Sequence, residues 1–265
     1  MAYVEREDEL HTRSVSLPYV SSVRWSPLWD RSVGALEAGK TPPTEVADML
    51  YHIAANSAPP WRSVEHELRP SRTILSNFVG TLRGSARSSE MRIAIKRQCV
   101  VHSAHTCVAI SSLRWNGDAV GERIVPMETQ MLERYVLSVK RSSVFCFEPP
   151  GFSEPRKSLI DSLLSGCIPV MFLEDDQYSE LMPHFWGDWL WNATIRVPPD
   201  DLLQDRIDLI RFLHSIDPQT VRRMQTTIAE HAHQLHYSIG SPGPRGDAVT
   251  RLEEVLKIFR PHAVF

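Results

Sequence analysis

The sequence lacks any long apolar run, and this excludes one class of protein at once. Across its 265 residues no stretch of about 18 consecutive apolar residues occurs, so we expect no segment that spans a bilayer. Residues 1–30 also lack the basic-then-apolar order of a secretory signal.

The formal net charge of -3 creates no global field that would attract nucleic acid or an acidic membrane surface. Any anion-binding site must therefore depend on a few neighbouring groups and not on the overall charge of the chain.

Cysteine is scarce as well, and its four copies are not spaced as zinc ligands are. No CxxC pair occurs and no histidine accompanies the cysteines at ligand spacing, so we expect no structural metal. A short polar loop between Cys99 and Cys107 can bring their Cα atoms within bridging distance, which predicts a disulfide in an oxidising compartment. Cys146 and Cys167 stand at the starts of predicted strands, and we expect them to be buried thiols.

From Arg72 onward, short apolar runs alternate with longer amphipathic stretches, a pattern typical of βαβ units with a parallel sheet. Residues 1–70 are irregular and punctuated by proline, apart from one short helix. We therefore predict three parts: an irregular N-terminal segment at 1–70, a Rossmann-like domain at 71–240 and a C-terminal helix at 241–265. The predicted strands cover residues 73–79, 106–110, 144–147, 167–173 and 194–197, and we expect strands 73–79, 144–147 and 167–173 to neighbour one another in one sheet. The predicted helices cover 88–97, 127–140, 155–165, 200–214, 218–236 and 248–259, and Gly166 is expected to end the helix at 155–165.

One stretch places charged groups at the end of a predicted strand. Strand 144–147 leads through a Pro-Pro-Gly turn ending at Gly151 into a helix that carries Arg156 in its first turn. Free backbone N–H groups and a guanidinium then meet where ligands collect in open parallel sheets. Arg156 is therefore predicted to hold a diphosphate, and Asp161, about 7 Å further along the helix, to reach a ribose. Glu154 lies near the same helix face as Asp161. The alternative is that these charges only solvate a surface.

The same stretch resembles a known family. FCFEPPGFSEPRKSLIDSLLSGCIPVMF looks like the central motif of exostosin-type glycosyltransferases, approximately F-C-L-x-P-x-G, then an Arg, a short helix with an acidic residue, and G-C-I-P-V. Upstream, Phe78, Gly80 and Arg83 resemble the family's F-x-G-x-x-R strand end, and a Trp-rich region before strand 194–197 fits its usual tail. The matching motif positions are Phe145, Cys146, Pro149, Gly151, Arg156, Asp161, Gly166, Cys167, Ile168, Pro169 and Val170.

The resemblance implies an α/β fold, a Rossmann-like parallel sheet flanked by helices, which is the donor half of a GT-B glycosyltransferase. It implies inverting, metal-independent transfer of a sugar from a UDP-sugar to a glycan acceptor, with no cofactor. Arg156 would then hold the donor diphosphate and Asp161 the ribose, with Arg83 and Gly80 near the phosphates and Gly151 in the phosphate turn. Glu154 is not a consensus position of the family, and its role is only an expectation.

The family further implies residence in the Golgi lumen. Its members normally carry a membrane anchor and an acceptor-binding half that usually supplies the catalytic base. Neither is recognised in this sequence, so we expect the acceptor side to be abbreviated in residues 1–70 or supplied by a second glycosyltransferase chain. Two alternatives stay open: a non-catalytic nucleotide-sugar-binding or scaffolding subunit, and a structural protein that reuses the fold with an empty site. No nucleic acid partner is expected.

Other residue groups suggest rival sites. The acidic triplet Glu174-Asp175-Asp176 resembles a divalent-metal motif, but one loop shows fewer oxygen ligands than hard cations need, which favours a polar loop. The histidines of residues 231–236 have only one pair at i, i+3, which argues against a metal. The tryptophans of residues 186–191 suit sugar stacking but more often belong to a core. The sequon at Asn192 is a glycan acceptor only in a secretory compartment.

Overall fold

The computed structural model of the chain describes residues 17–19, 21, 72–110, 129–151, 156–174, 181, 183–187, 189–238 and 246–259. Its five strands are β1 (Ile74–Val79), β2 (Cys107–Ile110), β3 (Ser143–Glu148), β4 (Ile168–Met171) and β5 (Ile195–Arg196). Its helices are α1 (Ala86–Val100), α2 (Thr129–Ser142), α3 (Lys157–Leu164), α4 (Pro183–Trp186), α5 (Trp189–Ala193), α6 (Pro199–Leu203), α7 (Leu209–His214), α8 (Pro218–His231) and α9 (Ala248–Phe259), with a 3₁₀ turn at Ala232–Leu235.

The strands form one parallel sheet in the order β2-β1-β3-β4-β5. Parallel strands need crossover connections, and the helices that supply them cover the faces of the sheet. All four residues of β4 are buried, as expected for a strand inside such a sheet. The predicted Rossmann-like α/β fold of GT-B type is therefore confirmed, and the three strands β1, β3 and β4 are neighbours as predicted.

Local sequence signals set several helix boundaries. The side chain of Ser85 accepts the Ser88 N–H at the start of α1, and Asp217 accepts the Thr220 N–H at the start of α8. Gly166 follows α3 with a φ of 67°, a left-handed conformation that glycine adopts without the steric cost of a Cβ. These residues stop and start the helices close to the predicted positions.

Two predicted helices are shorter than the sequence suggested. The segment predicted as one helix at 200–214 is divided into α6 and α7, because Asp205 adopts a φ of 52° and Asp208 caps a new helix. A positive φ outside glycine interrupts helical geometry. The helix predicted at 218–236 ends at His231 and continues only as the 3₁₀ turn. Periodicity identified both segments as helical but did not predict the point at which the chain turns.

The tryptophans divide between core and surface. Trp186 and Trp189 are buried and in contact, with ring centroids 5.9 Å apart, as the core interpretation predicted. Trp191 remains 42% exposed, and the guanidinium carbon of Arg196 lies 4.3 Å from the centroid of its ring. The apolar core lies between the sheet and its helices and includes Phe145, Ile160 and Ile168.

All four cysteines are paired in disulfides. The predicted Cys99–Cys107 bridge is present. Cys146 and Cys167 also form a disulfide, with their Cα atoms 5.9 Å apart, so the prediction of buried thiols was wrong. It overlooked that β3 and β4 are adjacent: Cys146 lies opposite Pro169 in the ladder, and Cys167 immediately precedes β4. Because Cys167 lies two residues before Pro169, its side chain is on the same face of the sheet as that of Cys146 and within bonding reach.

None of the helices in the described ranges is long and apolar enough to cross a membrane.

Candidate functional site

Two turns meet at the carboxyl edge of the sheet. One follows β1 and contains Gly80 and Arg83, and the other follows β3 and ends at Gly151. Because the strands are parallel neighbours, both turns leave from the same edge. Helix α3 begins at Lys157, and the first N–H groups of a helix have no partner within it. This edge is where open α/β sheets bind ligands.

Arg156 lies over the turn that precedes its helix. It is the residue before α3, with extended backbone and no side-chain cap. Its guanidinium donates a hydrogen bond of 2.5 Å to the carbonyl oxygen of Pro149. A Cβ added to Gly151 would lie 3.0 Å from Cδ and Nε of Arg156. The glycine thus makes room for the arginine, and the two residues form one corner in which a cation adjoins the start of a helix.

Arg92 joins the two turns, and its role was not predicted from the sequence. It is buried on α1, where its guanidinium donates to the carbonyl oxygens of Thr81 at 2.7 Å and Pro150 at 2.8 Å. Ser88 donates a further hydrogen bond of 2.5 Å to the Pro150 oxygen. The one signal in the sequence was a charged residue at a buried position of the helix, which needs hydrogen-bond partners. Arg92 therefore fixes the separation of the turns after β1 and β3.

Asp161 is buried on α3, with both carboxylate oxygens engaged. Ser21 donates to one oxygen at 2.5 Å, and the Lys157 ammonium lies 2.8 Å from the other. The carboxylate thus holds Ser21 against α3. A ribose hydroxyl would have to share or displace one of these donors, and the ribose contact stays a prediction.

The remaining predicted site residues differ in their burial and in their contacts. Gly80 is buried and donates its N–H to Ile110 at 3.0 Å, whereas Arg83 is exposed at the same turn. A Cβ on Gly80 would meet its neighbours only at 3.8 Å, so described contacts do not require glycine there. Glu154 lies outside the described residues. The structure thus brings Gly80, Arg83, Gly151 and Arg156 to one edge.

A buried ion pair lies beneath this corner. The Lys140 ammonium is 2.8 Å from a carboxylate oxygen of Glu148, and their side chains are 2% and 4% exposed. Ser158 and Ser162 of α3 donate to the same oxygen at 3.1 and 2.6 Å. Glu148 is the last residue of β3, so this cluster connects the strand end to the first two turns of α3. We call these four residues the Lys140 cluster.

The pKa of Glu148 reflects these neighbours. Burial alone raises the pKa of this carboxyl, but the charges of Lys140 and Arg156 and the hydrogen bonds from Lys140 and Ser162 together hold it below its ordinary value. Glu148 is therefore an ionised carboxylate, held by Lys140 and two serines, that lies beneath the turn after β3.

The rival sites have other roles among the described residues. Glu174 is exposed and pairs with Arg87 at 2.8 Å, while Asp175 and Asp176 lie outside the described ranges. His231 stacks on Trp189, with ring centroids 5.4 Å apart. Within the part of the chain that the structure describes, no three His, Cys, Asp or Glu side chains are grouped so that they could hold a metal ion.

Comparison with known proteins supports the family resemblance. The exostosin GT47 domain matches residues 43–213, which is more than half of the chain. A probable xyloglucan galactosyltransferase of Arabidopsis thaliana is 27% identical over 134 residues, covering 47% of this chain and 28% of the relative. A xyloglucan galactosyltransferase of the same plant is 28% identical over 116 residues, covering 44% and 18%.

A third relative is a xyloglucan-specific galacturonosyltransferase of Arabidopsis thaliana, 33% identical over 102 residues and covering 38% of this chain and 14% of the relative. The matched part of the chain spans less than a third of the length of each of these relatives. The domain match includes the turn after β1, the turn after β3 and helix α3, which form the carboxyl-edge corner described above. The chain therefore belongs to the exostosin GT47 family of glycosyltransferases.

Proposed function

We propose that this chain binds a UDP-sugar and serves as the donor half of an inverting, metal-independent glycosyltransferase. The observation that carries the proposal is the corner at the carboxyl edge, where Arg156 and Gly151 meet the start of α3. Arg92 holds the turn after β1 against this corner through Thr81 and Pro150. An anion placed there would meet both a guanidinium and backbone N–H groups.

The chemistry follows from where negative charge develops. In a single displacement, an acceptor hydroxyl oxygen bonds to the anomeric carbon while the bond from that carbon to the diphosphate oxygen breaks. The departing UDP carries the electron pair, and Arg156 and the N–H groups of α3 stabilise its charge without a metal ion. We expect the base that takes the acceptor proton to come from an acceptor-binding half.

The relatives suggest which substrates to test. The relatives described above are named as galactosyltransferases or a galacturonosyltransferase of xyloglucan. UDP-galactose and UDP-galacturonate are therefore the first members of the panel of donors to test, with a polysaccharide as acceptor. Residence in the Golgi lumen is part of the proposal. It is supported by the disulfides Cys99–Cys107 and Cys146–Cys167, because disulfides persist in oxidising compartments and are rare in the cytosol.

One observation favours a second candidate, a scaffolding subunit that keeps the fold without transferring a sugar. Both oxygens of Asp161 already accept hydrogen bonds, from Ser21 and Lys157. A carboxylate with both oxygens engaged serves the packing of the fold, and this role does not require a bound nucleotide sugar. Calorimetric titration with UDP distinguishes the two candidates, since only the first requires UDP to bind. Transfer assays with the donor panel and a xyloglucan acceptor are run with an acceptor-binding half present.

Arg156→Ala tests the donor site directly. Loss of a charge-assisted hydrogen bond is expected to weaken UDP binding by about 1.5 to 3 kcal/mol, or about one to two decades in affinity. Arg156→Lys should recover only part of this, because an ammonium cannot reproduce the bidentate fork of a guanidinium. Asp161→Asn should cost less, since an amide oxygen still accepts a hydroxyl hydrogen bond.

Arg222→Ala is the matched control, because Arg222 is an exposed arginine on α8, outside the proposed site. Affinity is measured by calorimetry, and folding by circular dichroism and thermal melting. Arg156→Ala also removes the hydrogen bond to Pro149, so a loss of about 1 kcal/mol of stability is expected. A sharp fall in melting temperature with unchanged UDP affinity would show that Arg156 is structural and that the donor-site assignment is wrong.

A further inference from the structure

Asn192 is exposed at the end of helix α5, between residues that are held in the core. Leu190 and Ala193 are buried, and Thr194 is 5% exposed. The Thr194 hydroxyl donates a hydrogen bond of 2.9 Å to the carbonyl oxygen of Leu190. This anchoring leaves the Asn192 side chain on the surface of the folded domain. A large group attached to its amide nitrogen would extend into solvent without displacing the core.

The sequence around Asn192 meets the requirement for N-glycosylation. Asn192-Ala193-Thr194 is a sequon whose middle residue is not proline. The other three asparagines, Asn56, Asn77 and Asn116, are followed two positions later by Ala, Val and Asp, so none of them is an acceptor. Any N-linked glycan on this chain must therefore be attached to one residue.

The disulfides supply the second, independent observation. Sequons are modified only in the secretory pathway, and no cysteine in the described residues is free. The Cys99–Cys107 and Cys146–Cys167 bridges indicate that the chain folds in an oxidising lumen, where the glycosylating enzyme also works. The inference rests on the luminal residence included in the proposed function.

We propose that Asn192 carries an N-linked glycan. The donor is an oligosaccharide joined to a lipid diphosphate. The amide nitrogen of Asn192 bonds to the anomeric carbon of the first sugar as the bond from that carbon to the diphosphate oxygen breaks. The lipid diphosphate leaves with the electron pair, and the amide gives up one proton to the glycosylating enzyme. Transfer takes place before the domain folds, when the Thr194 hydroxyl is not yet engaged with Leu190.

The glycan does not obstruct the proposed donor site. Asn192 precedes strand β5, whereas the turns with Arg83 and Arg156 follow β1 and β3, and β4 separates β3 from β5. The neighbouring exposed side chain is Trp191, with Arg196 over its ring. We therefore expect UDP affinity to be the same with the glycan present and after its enzymatic removal.

Translation of the full chain behind a cleavable secretory leader, in the presence of microsomal membranes, tests the proposal. The protease-protected product should show one slower-migrating form that an amidase, which cleaves N-glycans at the asparagine side-chain amide, returns to the unmodified mobility, with conversion of Asn192 to Asp at the cleaved site. Asn192→Gln and Thr194→Ala should abolish that form, and Thr194→Ser should keep it, because either hydroxyl completes the sequon.

The readout does not depend on folding, because the glycan is added to the nascent chain. A protease-protected wild-type product that stays unmodified overturns the proposal. So does a modified form that persists in Asn192→Gln. UDP titration of the same protein is scored separately, so a failure of the donor site is not confused with a failure of the glycosylation site.

Discussion

Lys140→Met is expected to lower the free energy of unfolding by about 3 to 5 kcal/mol, the range for breaking a buried ion pair by removing one partner. The substitution leaves the carboxylate of Glu148 in the core without its counter-ion, while the methionine occupies a similar volume. Ser158 and Ser162 still donate to Glu148, but hydroxyl groups do not neutralise its charge. Urea denaturation of wild type and variant measures the difference.

The pH dependence of stability should change sign in this variant. In the wild type the pKa of Glu148 lies below its ordinary value of 4.5. The contribution of this carboxylate to the stability of the fold is therefore fully present above that value and is lost as the pH falls through the folded-state pKa. Without Lys140, burial should raise the pKa of Glu148 above its unfolded-state value. The variant should then lose stability as the pH rises, where the wild type gains it.

The double variant Lys140→Met/Glu148→Leu is the control. Replacing both charges by apolar groups removes the uncompensated carboxylate, and such replacements are often neutral or stabilising. Most of the lost stability should therefore return. If Lys140→Met were as stable as the wild type, with an unchanged pH profile, the Lys140 cluster would not hold the end of β3 against α3 as described.

Removal of the Cys146–Cys167 disulfide is expected to cause the second large loss of stability. The Cys146→Ala/Cys167→Ala variant is expected to lose about 3.3 kcal/mol, because the bridge closes a loop with a sequence separation of 21 residues in the unfolded chain. Cys99→Ala/Cys107→Ala, with a separation of 8, should lose about 2.5 kcal/mol. For a domain of this size the larger loss lowers the melting temperature by about 10 °C.

Thermal melting with and without a thiol reductant provides the matching measurement. The wild type should melt lower when reduced, and the variant that lacks both bridges should not respond to the reductant. An unreduced wild type with four free thiols by mass mapping would contradict both pairings. It would also remove the support that the disulfides give to a luminal location.

Much of the sheet could be predicted from the sequence because each strand is a short apolar run between turn residues. Strands β1, β3 and β4 were expected as neighbours and are paired in parallel. Gly166 was expected to end α3 and does so with a positive φ. These features depend on local backbone preferences, which neighbouring residues determine.

The contacts that shape the candidate site could not be predicted in this way. Arg92 donates hydrogen bonds to the carbonyl oxygens of Thr81 and Pro150, which lie in turns after two different strands. Lys140 meets Glu148 only because α2 packs beside the end of β3. The Cys146–Cys167 bridge likewise depends on which strands are adjacent. Such contacts arise from tertiary packing, and spacing along the chain does not reveal them.

The corner around Arg156 and the start of α3 is expected to bind the UDP of a sugar donor. Calorimetric titration of the full chain with UDP, UDP-galactose and UDP-galacturonate, with and without a metal chelator, tests it most directly. We predict stoichiometric binding with a dissociation constant between about 1 μM and 1 mM, the usual range of enzyme substrate constants, and no effect of the chelator. Absence of any binding heat for UDP at millimolar concentration, or binding that appears only with an added divalent metal, would show that this corner is not a metal-independent donor site.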